Sequence, residues 1–351
     1  MDTRKIFSSR RFWAGILLAQ FVLFYILSGI GYFVNMAAAF FEYKKAAHQK
    51  FASLFPFSVG DIFYIVIAAG LILFVIKLLN KKSRRKATLS LFISVNLFYF
   101  IYQLLWGMLY FQAPLSERLP KREITVIRTK ALTTKYLEKC RKTRTIVQED
   151  ENGVFTLKNT DLIKSEILNR QNNLPELFNT KSATQIDAFK PSLYRSVISY
   201  SGILGYYNPF TSEAQYNDEL PHTYIPFTLA HESAHQLGFA REQEANFVGY
   251  LIGRNSDNAA LRYSTEYAVL KSLLNSLAEE HKPFVDNILS QYSAGMKRDR
   301  QAERDFIQKH KGPLDVFFGI TNDLFLKSNQ QDGSVTYSYF VDLLLRYEDT
   351  E

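Results

Sequence analysis

Two histidines four residues apart with a glutamate beside the first, His231, Glu232 and His235 in HESAH, have the types and spacing to do chemistry. On a helix, residues four apart share a face, so both imidazoles can hold one metal ion while Glu232 points toward a metal-activated water as general base. Such a set suits hydrolysis, because the metal polarises a carbonyl and acidifies the water while the carboxylate moves the proton. A structural zinc site closes with four protein ligands, whereas a catalytic site keeps three and leaves one position open. The third ligand is expected soon after the motif, where two acidic residues lie. Glu242 is the expected ligand, with Glu244 in reserve. Asn246, four residues after Glu242, is placed to hydrogen-bond a ligand histidine and fix its tautomer.

The flanking residues must supply a helix, a stop and a second helix. Phe227, Ala230, Ala234 and Leu237 recur at helical spacing and predict one buried side. Pro226 suits a first turn, where its missing N–H costs nothing. Gly238 suits a C-terminal stop in the left-handed conformation. A new helix is expected from about Arg241, with Ala245, Val248 and Leu251 or Ile252 facing inward.

His-Glu-x-x-His followed by Glu-x-x-x-Asp is the gluzincin pattern, and Glu242 to Asn246 resembles its second half, with Asn where Asp is usual. More closely, LFPFSVGD (Leu54 to Asp61), LWGMLYFQAPL (Leu105 to Leu115), GYYNPFTSEAQYN (Gly205 to Asn217) and the HESAHQLGFAREQEANF run resemble an uncharacterised family of bacterial three-span membrane proteins. That resemblance covers most of the chain. It implies a zincin-like fold and a metal site, and brings no substrate with it.

The 351 residues have room for two domains, and the many aromatics, 29 Phe and 21 Tyr, include clusters in three apolar runs near the start. Residues 12–34, 62–79 and 87–111 are each long enough to cross a bilayer. The first is read as an uncleaved anchor, since it exceeds the core of a signal peptide. Trp106, Tyr110 and Phe111 are expected at the outer membrane interface, where amphipathic rings are favoured. Much of the net charge of +8 has a membrane explanation. Arg4, Lys5, Arg10 and Arg11 precede the first run, and Lys81, Lys82, Arg84, Arg85 and Lys86 separate the second from the third, the pattern of cytoplasmic flanks. With no recognition-helix or RNA-binding motif, no nucleic acid is expected as partner. The lone Cys140 excludes an intramolecular disulfide.

The expected architecture is therefore an α-helical membrane domain over residues 1–111 with three transmembrane helices, then an α+β, mostly helical zincin-like domain over residues 112–351. The stretch from Asn35 to Ser58 is read as an amphipathic segment on the membrane, a cover for the site or a plain connector. Helices are expected over Arg122–Arg144, from a Thr160 cap to Arg170, and over Asp257–Glu280, Pro283–Tyr292, Lys297–His310, Pro313–Lys327 and Val335–Tyr347, with a turn at Gln330–Gly333. Ser192 to Phe210 reads as mainly strand, whose edge a peptide could extend. Oxyanion donors could come from Tyr206, Tyr207, His222, Tyr224 or Tyr337, and Glu213 reads as a structural hydrogen-bonding residue.

Together these readings predict a Zn2+-dependent metallopeptidase in the cytoplasmic membrane, with its metal domain extracytoplasmic and peptides or proteins as substrates. The rival is a catalytically inactive sensor or scaffold that binds a ligand or partner protein. Transport is disfavoured, because basic residues lie only at the ends of the apolar runs.

Overall fold

A computed structural model of the chain describes residues 7–328 and 336–348. It is mostly helical, with three apolar N-terminal helices and one small sheet. The first helix, α1, runs Arg10–Ser28 and is followed by α2, Gly31–Ser53. The expected first span of residues 12–34 is thus cut at Gly29 and Ile30. Glycines on both sides of an extended Ile30, at φ −111° and ψ 104°, give the chain a cheap place to leave the helix.

Helix α2 overturns the reading of residues 35–58 as a surface segment or connector. Phe41, Lys44, Lys45 and Gln49 along it are buried against the rest of the protein. Lys44 Nζ donates to the Pro209 carbonyl at 2.9 Å, and Lys45 Nζ pairs with Glu42 at 2.8 Å.

The second apolar helix, α3, spans Val59–Leu79, and the third, α4, spans Arg84–Leu105. Both fit a membrane protein: α3 is 21 residues, about 32 Å at helical rise, against a hydrocarbon layer of about 30 Å. Inside this bundle Gln20 Nε2 donates to Asn96 Oδ1 at 3.1 Å and Asn96 Nδ2 donates to the Trp13 carbonyl at 3.0 Å, tying α1 to α4 through otherwise costly polar groups. The start of α3 is capped twice. Ser58 Oγ accepts from Asp61 N at 3.0 Å, and the Glu213 carboxylate accepts from Val59 N at 3.0 Å and Gly60 N at 2.5 Å. Glu213 is structural, as read from the sequence.

Helix α4 stops at Leu105, six residues before the expected end at Phe111, and Gly107–Phe111 forms a 3-10 turn. Trp106 and Tyr110 are buried in protein rather than placed at a lipid interface, a correction with consequences for the site.

Beyond the 3-10 turn Leu115–Arg118 come α5 (Val126–Arg144, capped by Thr125) and α6 (Asp161–Gln171). The region expected as mainly strand is mostly something else. Strand β1 (Phe189–Pro191) precedes it, a short helix α7 (Arg195–Ile198) occupies its first half, and only β2 (Gly205–Asn208) is extended. Strand β3 (Glu213–Tyr216) lies between the other two, parallel to β1 and antiparallel to β2, with Tyr206 opposite Gln215. A tertiary bond decides against strand in the first half: the Asp61 carboxylate accepts from Leu193 N at 2.8 Å and holds the chain where it turns into α7.

The remaining helices are α8 (Ile225–Leu237), α9 (Glu242–Gly253), α10 (Ala259–Leu277), α11 (Lys282–Ser290), α12 (Ala294–His310), α13 (Pro313–Ser328) and α14 (Thr336–Glu348), close to the ranges expected. The turn expected at Gln330–Gly333 lies outside the described residues. One apolar core joins α8, α9 and α10 to α5 and α14 through Leu137, Leu229, Ala234, Val248, Leu270 and Leu344, all buried. Beside it, Arg144 forms a buried pair with Asp299 at 2.6 Å, and Tyr263 donates to the same carboxylate at 2.6 Å.

Candidate metal centre

Helix α8 carries the two histidines with Pro226 in its first turn and Ala230, Ala234 and Leu237 buried, as their spacing predicts. It ends at Gly238, at φ +102°, whose N–H donates to the His235 carbonyl at 2.9 Å. The left-handed conformation alone favours glycine there. A second reason is packing: a Cβ on Gly238 would stand 2.8 Å from the Phe41 ring of α2.

The chain then reverses into α9, which opens at Glu242. Gly249 lets α9 lie against α8, because a Cβ there would be 3.0 Å from the His231 backbone nitrogen. This close crossing brings the Glu242 carboxylate to the imidazoles, with oxygens 3.2 Å from His231 Nε2 and 3.5 Å from His235 Nε2. The far side of each ring is also engaged. His231 Nδ1 lies 2.9 Å from Asn246 Oδ1, and His235 Nδ1 lies 2.7 Å from the Phe239 carbonyl. A carbonyl oxygen can only accept, so each neutral ring carries its proton on Nδ1 and turns an Nε2 lone pair toward Glu242.

Three electron-pair donors facing one another need a cation or added protons between them. Two neutral imidazoles and one carboxylate form a donor set that suits zinc with an open position. Glu232 completes the constellation: one oxygen of its carboxylate lies within 4.8 Å of ligand atoms of both histidines. Its approach is longer than that of Glu242. The side chain is buried and its Oε2 makes no hydrogen bond. Burial pushes the Glu232 carboxyl up to about 8; His231 opposes this and the charge of Glu242 adds to it. Burial would also raise Glu242, but when protons rather than a cation lie between the three groups, the pull of His235 and hydrogen bonds from both imidazoles hold its carboxyl well below the usual carboxylate range. Glu244, two residues on, faces elsewhere: its Oε1 accepts from Leu115 N at 2.9 Å and from Arg241 at 3.0 Å.

These groups open into a cleft of about 600 Å³, bordered by Gly205, Tyr206 and Tyr207 of β2 and by Trp106 and Tyr110. The Trp106 ring meets the His235 ring edge-on at 5.8 Å, and its Nε1 donates to the Tyr110 hydroxyl oxygen at 3.3 Å. Sequence reasoning missed both residues as parts of the site. Their only sequence signal was two aromatic rings just past an apolar run, and the same signal marks a membrane interface.

Among the expected oxyanion donors, the Tyr206 hydroxyl is engaged by Asp61 at 2.6 Å and Ser192 at 2.7 Å. The Tyr207 hydroxyl is buried and makes no hydrogen bond of normal geometry, although Ser212 is close enough to act on it. Tyr224 lies beside Glu303 with Lys271 over its ring, His222 Nδ1 accepts from Leu157 N at 3.0 Å, and the Tyr337 side chain lies outside those described. None of these described groups is placed by a hydrogen bond to aim into the cleft.

A family model described as a protein of unknown function (DUF3810) matches residues 36–345, a stretch that contains most of α2, the whole cleft and most of α14. No curated protein and no solved structure matches the chain.

Proposed function

We propose that this chain, which belongs to the family of proteins of unknown function DUF3810, is a membrane-anchored zinc metallopeptidase with a zincin-like domain. The observation that carries the reading is the Glu242 carboxylate lying 3.2 Å from His231 Nε2 and 3.5 Å from His235 Nε2, while a buried Glu232 carboxylate stands beside them. A bound zinc ion supplies Lewis acidity, polarising a carbonyl and making a water easier to deprotonate.

The chain's own residues do the rest. His231, His235 and Glu242 hold the ion, with Asn246 and the Phe239 carbonyl fixing the rings that face it. Glu232 takes the proton of the attacking water on its carboxylate as the water oxygen bonds to the peptide carbon. As the C–N bond breaks, Glu232 delivers that proton to the leaving amine. Strand β2 pairs with β3 along one edge and borders the cleft, so an extended substrate adds to its other edge by main-chain hydrogen bonds. Basic residues ahead of the first apolar run and between α3 and α4 support a metal site outside the cytoplasmic membrane, where peptides or proteins would be its substrates.

One observation favours the sensor reading: Asp61, in the first turn of α3, accepts from the hydroxyl of Tyr206 in the cleft wall at 2.6 Å, a direct link from span to site. Glu232→Gln separates the two. The amide keeps the shape but cannot take a proton, so the peptidase reading expects one zinc per chain by elemental analysis and a loss of peptide-library cleavage of roughly 10² to 10⁴. Equal cleavage by the metal-loaded variant would refute Glu232 as base. A deletion phenotype rescued by the Gln variant would favour the sensor.

A further inference from the structure

The residues around α7 form an exposed apolar face where the chain meets the outer ends of its spans. Leu193, Val197, Tyr200 and Leu204 are 47 %, 56 %, 40 % and 38 % exposed. Isolated exposed apolar residues need no explanation, but these four fall within twelve residues of one segment, which Leu193 and Tyr194 tie to the start of α3. Their depth follows from the contacts. The Asp61 carboxylate, two residues into α3, accepts from Leu193 N at 2.8 Å, and the Tyr194 hydroxyl donates to the Asp61 carbonyl. Phe210 goes deeper, its ring 5.1 Å from Phe63 of α3 and 6.4 Å from Phe98 of α4.

At about 1.5 Å per residue, Asp61 stands about 3 Å below the end of α3, and Phe63 and Phe98 stand about 6 and 10 Å below the ends of their helices. Since α3 is barely longer than the hydrocarbon layer, its end lies at the boundary with the headgroups. Residues held against Asp61 must share that level. The cleft is there too, because Trp106, the first residue past α4, touches His235 ring to ring.

We infer that the Leu193–Leu204 face is seated in the headgroup region of the bilayer that holds α1, α3 and α4, so that the cleft opens at the membrane surface and takes chain segments next to a membrane anchor. The lipid seat stands on the geometry of the spans. The substrate class rests on the peptidase reading above. A second hollow of about 260 Å³, lined by Ile198, Ile203, Leu204, Phe306 and Ile307, shares the ridge Gly202–Leu204 with the cleft and offers an apolar site beside it for such a segment.

The test uses the full chain in vesicles of phosphatidylethanolamine and phosphatidylglycerol. Nitroxide labels are placed at L193C and V197C, with I146C, 60 % exposed in the loop after α5, as the aqueous reference and the buried Cys140 left in place. Collision with a water-soluble nickel chelate should fall roughly tenfold at both positions relative to I146C while collision with oxygen rises, as for side chains in an interface. Water-like collision rates at both positions would overturn the seat. For the substrate, one randomised peptide library is carried on a palmitoyl anchor, either directly or beyond a long Gly/Ser spacer. Cutting at least about tenfold faster in the direct form is expected, because only that form presents its bonds at cleft level. Equal or faster cutting beyond the spacer would overturn the substrate class. If neither form is cut, the peptidase reading falls, and the labels still decide the seat.

Discussion

Glu242 and Glu244 sit two residues apart in one helical turn, yet one faces two imidazoles and the other faces Leu115 N and Arg241. The proposed site therefore predicts opposite outcomes for the same truncation. Glu242→Ala should abolish stoichiometric zinc with little loss of fold, because it removes one of three ligands. Glu244→Ala should keep the metal but lower stability by about 1–3 kcal/mol, since it leaves a buried N–H and a half-buried guanidinium without their acceptor. Elemental analysis and thermal unfolding of each variant check this; zinc retained by Glu242→Ala and lost by Glu244→Ala would reverse the assignment. Spacing put Glu242 first and kept Glu244 in reserve. Only the tight crossing of α9 on α8 at Gly249 selects between them by distance.

Two element contacts carry the other stability predictions. The end of α8 and the middle of α2 interlock, with the Phe41 ring filling the place a Gly238 side chain would take. Gly238→Ala should destabilise by about 1–2 kcal/mol from the left-handed backbone alone, plus the displacement of that ring. Phe41→Ala should cost about 3–5 kcal/mol through lost burial and a cavity. Because the clash disappears with the ring, the double variant should be less destabilised than the sum of the singles. Strict additivity in denaturant melts would mean the two elements do not meet in this way. The second contact fastens α14 to α5 and α9: Glu348 accepts from Lys135, Tyr136 and Tyr250. Burial would raise its carboxyl, but hydrogen bonds from Lys135, Tyr250 and Tyr136 outweigh that and hold it at about 2. A depressed folded value stabilises above the ordinary carboxylate range, so this contribution is complete above about pH 4.5 and fades as pH falls toward about 2. The stability gap between wild type and Glu348→Gln should accordingly narrow across that window. A gap that is constant with pH would show that the carboxylate charge is not what fastens α14.

At the scale of the molecule, three apolar helices and the body that carries the cleft are built as one piece. The sheet residue Glu213 caps α3, Phe210 packs between α3 and α4, and residues just past α4 wall the cleft. With three candidate spans among the described residues, the sidedness of the cleft depends on the basic flanks. Reporter fusions after Lys82 and after the C-terminal Glu351 should report opposite sides of the membrane, with the C-terminal one extracytoplasmic. A cytoplasmic signal from the C-terminal fusion would place the cleft and its substrates inside.

What the sequence determined by itself are features written in short-range spacing: the histidine pair on one helical face, the glycine stop, the acidic residue opening the next helix, and the apolar runs of α1, α3 and α4. Each depends on residues within a turn or two, or on composition over one helix, so no distant contact can erase it. Tertiary structure decided what those runs and rings touch. Trp106 and Tyr110 have the same amphipathic character whether lipid headgroups or His235 and Glu242 lie beside them. Phe41, Lys44 and Lys45 read as a surface segment until α2 is seen against the end of α8. Strands of three and four residues, β1, β2 and β3, are too short for their alternation to stand out, and the Asp61 bond that turns Leu193 away from strand joins residues 132 positions apart. Burial by lipid and burial by protein select the same side chains, and only the three-dimensional contacts tell the two apart.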